Sequence, residues 1–118
     1  MIKRKSETIK ETRENMRGGI GTISIEHFFT IDEIKANCRL CSKMTMAPGT
    51  SIGLHKHEKE DEIYLVLKGK ALLSDGTIET IIEAGDSSIT GKGESHSIKN
   101  IGEDNLEIIA IIMKYQSI

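Results

Sequence analysis

The chain has 118 residues, enough for one domain with one hydrophobic core, so its function has to lie in one site or at a subunit interface. The net charge is −2, and the charged residues, 29% of the total, form no long block of one sign. This argues against a nucleic-acid-binding surface, and two Phe, two Tyr and no Trp offer no platform for stacking single-stranded bases.

The N-terminal region is polar. Residues 1 to 7 lack the apolar run of a signal peptide, and no segment approaches the ~18 apolar residues that cross a bilayer. We therefore expect a cytoplasmic protein with no membrane partner. Residues 1 to 19 end in two glycines and are predicted to form an arm that the core does not need for burial, although it could pack on a partner subunit. Residues 20 to 118 are predicted to be a single domain.

The apolar residues favour strands. Twenty of them are isoleucine, whose branched side chain fits a pleated surface, so an all-β protein is expected. Residues 20 to 29 and 38 to 46 are predicted strands, joined by a connector with one helical turn near Asp32. Further on, short apolar segments alternate with turn signals, and Asp75-Gly76 indicates a hairpin. The pattern predicts about eight or nine strands in a sandwich or a small barrel.

The last predicted strand, residues 106 to 113, is apolar on both faces instead of alternating. Such a strand has to be covered on both sides, either by the second sheet and the arm or by another subunit. We expect a homodimer.

Both cysteines lie in a C-x-x-C spacing, which is formally that of a redox pair or half a zinc site. Cys38 and Cys41 fall within a predicted strand, where residues three apart point to opposite faces. We therefore interpret both as structural cysteines. His27, at the end of the preceding strand, is interpreted as a core-edge or surface histidine.

Two histidines one residue apart suggest a site. On a strand, His55 and His57 share a face and can direct two imidazoles at one point. Neutral imidazole is the commonest metal ligand in proteins, and a carboxylate would add a hard oxygen beside it. Taken alone, the pair is more often a solvated strand end than a metal site.

The spacing of the surrounding residues narrows this choice. The chain contains G-x(5)-H-x-H-x(4)-E-x(6)-G and then G-x(5)-G-x-G-x(2)-H-x(3)-N, ten positions over 52 residues. These closely resemble the two motifs of the cupin superfamily, whose second motif has Pro where this chain has Gly91. In detail the chain resembles small single-domain bacterial cupins, some of which are described as oxalate decarboxylases or sugar isomerases. The motif positions are Gly49, His55, His57, Glu62, Gly69, Gly85, Gly91, Gly93, His96 and Asn100.

The resemblance implies a double-stranded β-helix, a small jelly-roll barrel, with one divalent metal ion inside. The implied ligands are His55, His57, Glu62 and His96. Gly91 in place of Pro is expected to loosen the turn before His96 without removing a ligand.

Three other acidic residues compete for the carboxylate role. Asp61 fits a shorter spacing that the family also allows, whereas Glu62 keeps the six residues before Gly69 and heads the next strand. We favour Glu62 and interpret Glu58, Glu60 and Asp61 as solvated loop charges.

Candidate catalytic residues beyond the ligands are few. Tyr64 shares the strand face of Glu62 and could hydrogen-bond a substrate or merely fill the barrel. Glu94, two residues before His96, is a candidate general acid or base or an exposed turn residue. Arg39 is the only arginine between residues 18 and 118, so no guanidinium clamp for phosphate or carboxylate is expected.

The implied ligand set defines the expected chemistry. Three imidazoles and one carboxylate leave two free positions on a six-coordinate ion, which suits Mn, Fe, Ni or Co, whereas Zn more often takes four ligands. We expect a metal-dependent enzyme, an oxidoreductase, decarboxylase or isomerase, acting on a small oxygen-rich substrate such as a carboxylic acid or sugar. The alternatives are a non-catalytic protein that binds such a molecule and a purely structural metal site.

Overall fold

The computed structural model describes residues 1–116, so the last two residues of the predicted domain lie outside the described part. Within residues 1–116, helical structure is limited to two short turns, Lys5–Glu7 and Met16–Gly18, and no helix has the length and apolar character to span a membrane. The strands are β1 (Ile9–Glu14), β2 (Thr22–His27), β3 (Cys38–Met46), β4 (Ser51–Lys56), β5 (Glu60–Lys68), β6 (Lys70–Ser74), β7 (Glu79–Glu83), β8 (Ser87–Thr90), β9 (Ser95–Asn100) and β10 (Leu106–Lys114).

The strands form two antiparallel sheets. One has six strands in the order β1-β2-β3-β10-β5-β8, and the other has four in the order β4-β9-β6-β7. Neighbours such as β3 and β10, or β4 and β9, are distant in sequence, which is the winding of a double-stranded β-helix. The structure therefore confirms the predicted all-β jelly-roll fold. The predicted hairpin joins β6 to β7, and Gly76 in its loop has a φ of 99°, which favours glycine.

The core lies between the sheets and follows the period-two alternation of the strands. On β5, the buried residues Glu62, Tyr64 and Val66 face inward. On β10, Ile108 and its alternate neighbours do the same. Ala110 pairs with Tyr64 across the two strands, so the small side chain leaves room for the tyrosine ring.

The outer face of β10 is apolar, as the sequence predicts. Ile109 and Ile111 are half-buried in the middle of the six-stranded sheet, between β3 and β5. Nearby on the same face, Leu65, Leu67 and Ile89 are exposed by 37%, 47% and 62%. A contiguous apolar patch of this kind is typical of a surface that binds another molecule.

The N-terminal arm contains a strand that the sequence pattern did not predict. β1 pairs with β2 along its whole length, from Ile9 opposite His27 to Glu14 opposite Thr22. It adds an edge strand, so ten strands are described where eight or nine were expected. No residue of the arm is buried, and Met16 packs on the core only partly. That the arm is dispensable for folding stays a prediction.

After β1, the turn Met16–Gly18 packs closely against β4. A Cβ atom on Gly53 would lie 2.0 Å from the carbonyl oxygen of Arg17, and one on Gly19 would lie 2.1 Å from the carbonyl oxygen of Ser51. Two backbones can approach this closely only where both positions lack a side chain. The Ser51 amide also donates a hydrogen bond of 2.9 Å to the Ile20 carbonyl, which holds the arm on β4.

Replacing Gly53 by Ala should therefore destabilise the protein. The added methyl group overlaps the Arg17 carbonyl, and overpacking of this kind costs about 1–3 kcal/mol in free energy of unfolding. The measurement is denaturant-induced unfolding followed by circular dichroism. Gly102→Ala is the control, because its Cβ would lie 3.5 Å from the nearest atom, and its effect should stay within ~0.5 kcal/mol. Equal stability of the two variants would contradict the close packing of the turn.

Candidate metal centre

Both sheets contribute to a cluster of four potential metal ligands. His55 on β4 lies directly opposite His96 on β9, and His57 follows the end of β4. Glu62 comes from β5 in the facing sheet. One ligand atom from each of the four residues lies within 4.8 Å of the others. Within residues 1–116 this is the one such group, so the structure places the four residues of the motif in position to bind a metal.

The separations of the donor atoms fit a metal ion. Ligand atoms about 2.1 Å from an ion lie ~3.0 Å apart when they are at right angles and ~3.4 Å apart in a tetrahedron. The His96 Nε2 atom is 3.0 Å from His57 Nε2 and 3.1 Å from His55 Nε2. Glu62 Oε1 is 2.8 Å from His96 Nε2, 2.9 Å from His57 Nε2 and 3.8 Å from His55 Nε2. Four of these five separations lie near the right-angled value of a six-coordinate ion, and the fifth, between His55 and Glu62, is wider than both values.

The hydrogen bonds of two rings set their tautomers for metal binding. His55 Nδ1 is 2.7 Å from the Gly53 carbonyl oxygen, which can only accept, so Nδ1 carries the proton. His57 Nδ1 is 2.5 Å from Glu60 Oε2, and the pKa of Glu60 is lowered to about 2, first by its hydrogen bonds from Arg39 and also by His57. Because an ionised carboxylate only accepts, His57 also carries its proton on Nδ1. In both neutral rings the Nε2 lone pair is then free for a metal.

Burial and mutual contacts shift the pKa values of the ligands. Burial acts to raise the pKa of Glu62, but when no metal is bound a proton on Nε2 of His57 or His96, 2.9 and 2.8 Å from Glu62 Oε1, outweighs it, and the pKa is held well below its usual range. Burial lowers the pKa of His96, which favours the neutral ring. The hydrogen bond to Glu62 raises the pKa of His57. Since a metal needs neutral imidazole, protons compete for His57 and metal affinity falls as the pH is lowered.

Glu60 is not the solvated loop charge that the sequence suggested. It begins β5 and is mostly buried, because its carboxylate accepts hydrogen bonds of 2.8 Å from both Nε and Nη2 of Arg39 while it holds the His57 ring. Such a carboxylate behind a ligating histidine fixes the ring and raises its basicity. Periodicity could not reveal this contact, because Arg39 and Glu60 lie on strands that are not neighbours in the sheet.

The other two acidic residues differ from each other. Glu58 is exposed and pairs with Lys56, as predicted for a solvated charge. Asp61 accepts a hydrogen bond of 2.5 Å from the Tyr115 hydroxyl group, so the prediction of a free loop charge is wrong for Asp61. A Cβ atom on Gly91 would lie 1.9 Å from Asp61 Oδ1, which explains in this chain why a side chain is absent at that position.

The two candidate catalytic residues lie in different places. Tyr64 is 1% exposed and its ring stacks on His96, with 4.8 Å between the ring centroids and 9° between the planes. Burial raises the pKa of Tyr64 well above its ordinary value, so the hydroxyl group stays protonated. The backbone amide of Gly91 donates a hydrogen bond of 3.3 Å to Glu94, which lines a second cavity together with His96 and not the cavity lined by His55, His57 and Glu62.

That cavity has a volume of about 150 Å³, and its lining includes three of the four candidate ligands, His55, His57 and Glu62. Since a water molecule occupies about 30 Å³, the cavity has room for a small molecule of a few heavy atoms. Arg13, Arg17 and Arg39 also line it. Two of these three arginines come from the N-terminal arm, which lies outside the region on which the expectation of no guanidinium clamp was based.

The remaining sequence-predicted residues lie near the site without joining the ligand cluster. His27 lines the cavity and its Nε2 atom is 3.0 Å from Glu11 Oε2. Cys38 and Cys41 are unbridged and half-buried on β3. Burial raises the pKa of the Cys41 thiol, which disfavours the reactive thiolate.

Three histidines and a glutamate thus converge within a jelly-roll fold, in an arrangement that could hold a metal ion. Residues 42–112 match the family model described as a cupin domain. The chain therefore belongs to the cupin family, as the resemblance implied.

A curated relative and a crystal structure that are similar to this chain both come from Thermotoga maritima. An oxalate-binding protein is 42% identical over 113 residues, which covers 96% of this chain and 93% of the relative. A crystal structure described as that of a predicted oxalate decarboxylase superposes with a TM-score of 0.91 at 42% identity, covering 97% of this chain and 99% of the other. The Schizosaccharomyces pombe Cnp3 cupin domain superposes with a TM-score of 0.71 at 13% identity, covering 88% of this chain and 68% of the other, which shows the fold alone.

Glu60→Gln should weaken metal binding while leaving all four candidate ligands in place. The neutral amide loses the ion pair with Arg39 and holds His57 less strongly, and loss of such a partner lowers metal affinity roughly 10- to 100-fold. The measurement is competitive titration of the metal-free protein with Mn²⁺ and a chelator. Glu58→Gln removes the same charge from an exposed side chain and should leave the affinity unchanged. If both variants bind Mn²⁺ like the wild type, the carboxylate does not support His57.

Proposed function

We propose that the protein binds one divalent metal ion through His55, His57, Glu62 and His96 and uses it to hold a small carboxylate dianion of the oxalate class. The convergence of three imidazole nitrogens and one carboxylate oxygen beside a small cavity carries the proposal. The Thermotoga maritima oxalate-binding protein, 42% identical over 96% of this chain, supports the class of ligand.

A bound metal would act as a Lewis acid with open positions for two oxygens of such a ligand. The chain's own residues prepare the rest of the site. Glu60 holds the His57 ring, and the Gly53 carbonyl holds the His55 ring. Three of the four ligand residues are 2% exposed, so water is largely excluded behind the ligand cluster. The identity of the ion, Mn, Fe, Ni, Co or Zn, is open, and the donor spacing favours the six-coordinate ions among them.

A second candidate is a metal-dependent enzyme, an oxidoreductase, decarboxylase or isomerase acting on a carboxylic acid or sugar. Tyr64 favours it, because its protonated hydroxyl group lies beside the ligands and could donate a hydrogen bond to a bound substrate. The similar Thermotoga maritima structure described as a predicted oxalate decarboxylase points the same way. Glu94 stays a predicted acid or base. The cytoplasmic location and the absence of nucleic-acid and membrane partners also stay predictions.

Oxalate binding should depend on the metal and on the ligand residues. Metal-reconstituted wild-type protein should bind oxalate in calorimetry, whereas chelated protein and His96→Ala should not. His27→Ala, which changes the one histidine outside the cluster, should keep its metal in elemental analysis. Wild-type protein that takes up no stoichiometric metal would refute the metal site. Metal-loaded protein that does not bind oxalate would refute the proposed class of ligand.

The same samples separate the alternatives. Release of formate and carbon dioxide from oxalate would establish a decarboxylase, whereas recovery of intact oxalate from every metal-loaded form supports binding without turnover. A site that serves only structure would unfold on chelation and bind no anion.

We also propose that the protein is a homodimer through the outer face around β10. The half-buried Ile109 and Ile111 and the exposed Leu65, Leu67 and Ile89 form the apolar surface that supports this.

Leu65→Glu should therefore shift the protein towards monomers, since Leu65 pairs with Ile109 at the middle of this face and a buried unpaired charge opposes association. Light scattering coupled to gel filtration reports the mass. Ile81→Glu places the same charge at an equally apolar, 60% exposed strand position on the other sheet and should stay dimeric. Wild-type protein with the mass of one chain would rule out the dimer.

A further inference from the structure

The three arginines that line the cavity differ in what already holds them. Arg39 is bound by both oxygens of Glu60. Arg13 Nε lies 2.5 Å from Glu11 Oε1. Within residues 1–116, the Arg17 side chain makes no hydrogen bond and no ion pair, and the exposed residue lines the same cavity. Arg17 is thus the guanidinium there that is free to bind a ligand.

The backbone fixes the position from which Arg17 reaches the cavity. Arg17 has the left-handed conformation, with φ 54° and ψ 30°, which is costly for a residue with a side chain. Its carbonyl oxygen lies where a Cβ atom of Gly53 would be, and Gly53 is the residue whose own carbonyl holds the His55 ring. The turn that carries Arg17 is therefore packed directly against the strand that carries a candidate ligand.

The lining of the cavity places Arg17 beside the interior of the site. Arg17 and Tyr64 both line the cavity that His55, His57 and Glu62 also line. Tyr64 in turn stacks on His96, so the charge of Arg17 acts close to the ligand cluster.

The charges of the site leave one positive charge to be supplied. A divalent ion with Glu62 and three neutral imidazoles has a net charge of plus one, and a bound dianion would change this to minus one. A buried unpaired charge is costly, and Arg39 cannot compensate for it because Glu60 already neutralises it. A free guanidinium at the cavity wall restores neutrality and offers paired N–H donors that match a carboxylate.

We propose that Arg17 binds a carboxylate group of the metal-held anion and thereby sets the specificity for dianions. The N-terminal turn Met16–Gly18 then forms part of the binding site. This inference rests on the proposed function and adds to it the residue that recognises negative charge. It assigns a binding role to a segment that lies outside the barrel strands.

The test compares oxalate binding by metal-loaded Arg17→Gln, Arg17→Lys and wild-type protein in calorimetry. Arg17→Gln should keep its full metal content and melting temperature but bind oxalate roughly 10- to 100-fold more weakly, because a charge-assisted hydrogen-bond pair is lost. Arg17→Lys keeps the charge without the planar fork and should recover part of the affinity. The salt dependence of oxalate binding should be weaker in Arg17→Gln than in the wild type.

Lys10→Gln is the matched control, because it removes one positive charge from β1 of the same arm at a position outside the cavity. Its affinity for oxalate should equal that of the wild type. Unchanged oxalate affinity in metal-loaded Arg17→Gln would overturn this inference and leave the proposed function intact. Equal losses of oxalate affinity in Arg17→Gln and Lys10→Gln would show that the effect comes from net charge alone. This result would also overturn the inference. Wild-type protein that binds metal and no oxalate would refute the proposed function, and this inference with it.

Discussion

The site depends on keeping an ionised carboxylate inside the barrel. Glu62 is 2% exposed, and a carboxylate at that depth is stable only if the surrounding groups replace the water it has lost. The imidazoles of His57 and His96 lie 2.9 and 2.8 Å from Glu62 Oε1, and a divalent cation would stabilise the carboxylate more strongly in the same place. Much of the nearby structure follows from this demand, because each ring has to direct Nε2 at one point. The Gly53 carbonyl and Glu60 hold two of the rings from behind.

Support for the ligands extends outward in layers that differ in chemistry. Behind His57 stands Glu60, and behind Glu60 stands the guanidinium of Arg39, so a chain of charged contacts runs from the cluster towards the protein surface. Behind His55 the support is backbone alone, through Gly53 and the turn packed on it. The carboxylate behind His57 acts through its charge, whereas the backbone behind His55 acts by fixing the position of the ring. Both rings are therefore held on the side away from the ligand cluster.

The sequence predicted the barrel from strand alternation, and the resemblance of its motifs to those of cupins predicted the four residues that the structure brings together. Strand alternation placed Glu62, Tyr64 and Val66 on one face, and glycine spacing located the hairpins. It failed where the determining contact joins segments that are far apart in the chain. Glu60 was read as a loop charge because its partner Arg39 lies 21 residues away, and the arm was read as a polar extension because β1 has no alternating apolar residues. Arg17 carried no local signal of its own.

The close approach of Gly19 and Gly53 has a consequence for how such a protein could diversify. The turn is attached to the barrel through main-chain atoms, so its attachment does not depend on which side chain occupies position 17. The ligand cluster, by contrast, is encoded in the strands and tolerates little change. With the anion-binding role proposed for Arg17, exchange of the residue on the turn would change the preferred anion, while the barrel behind it is inherited unaltered.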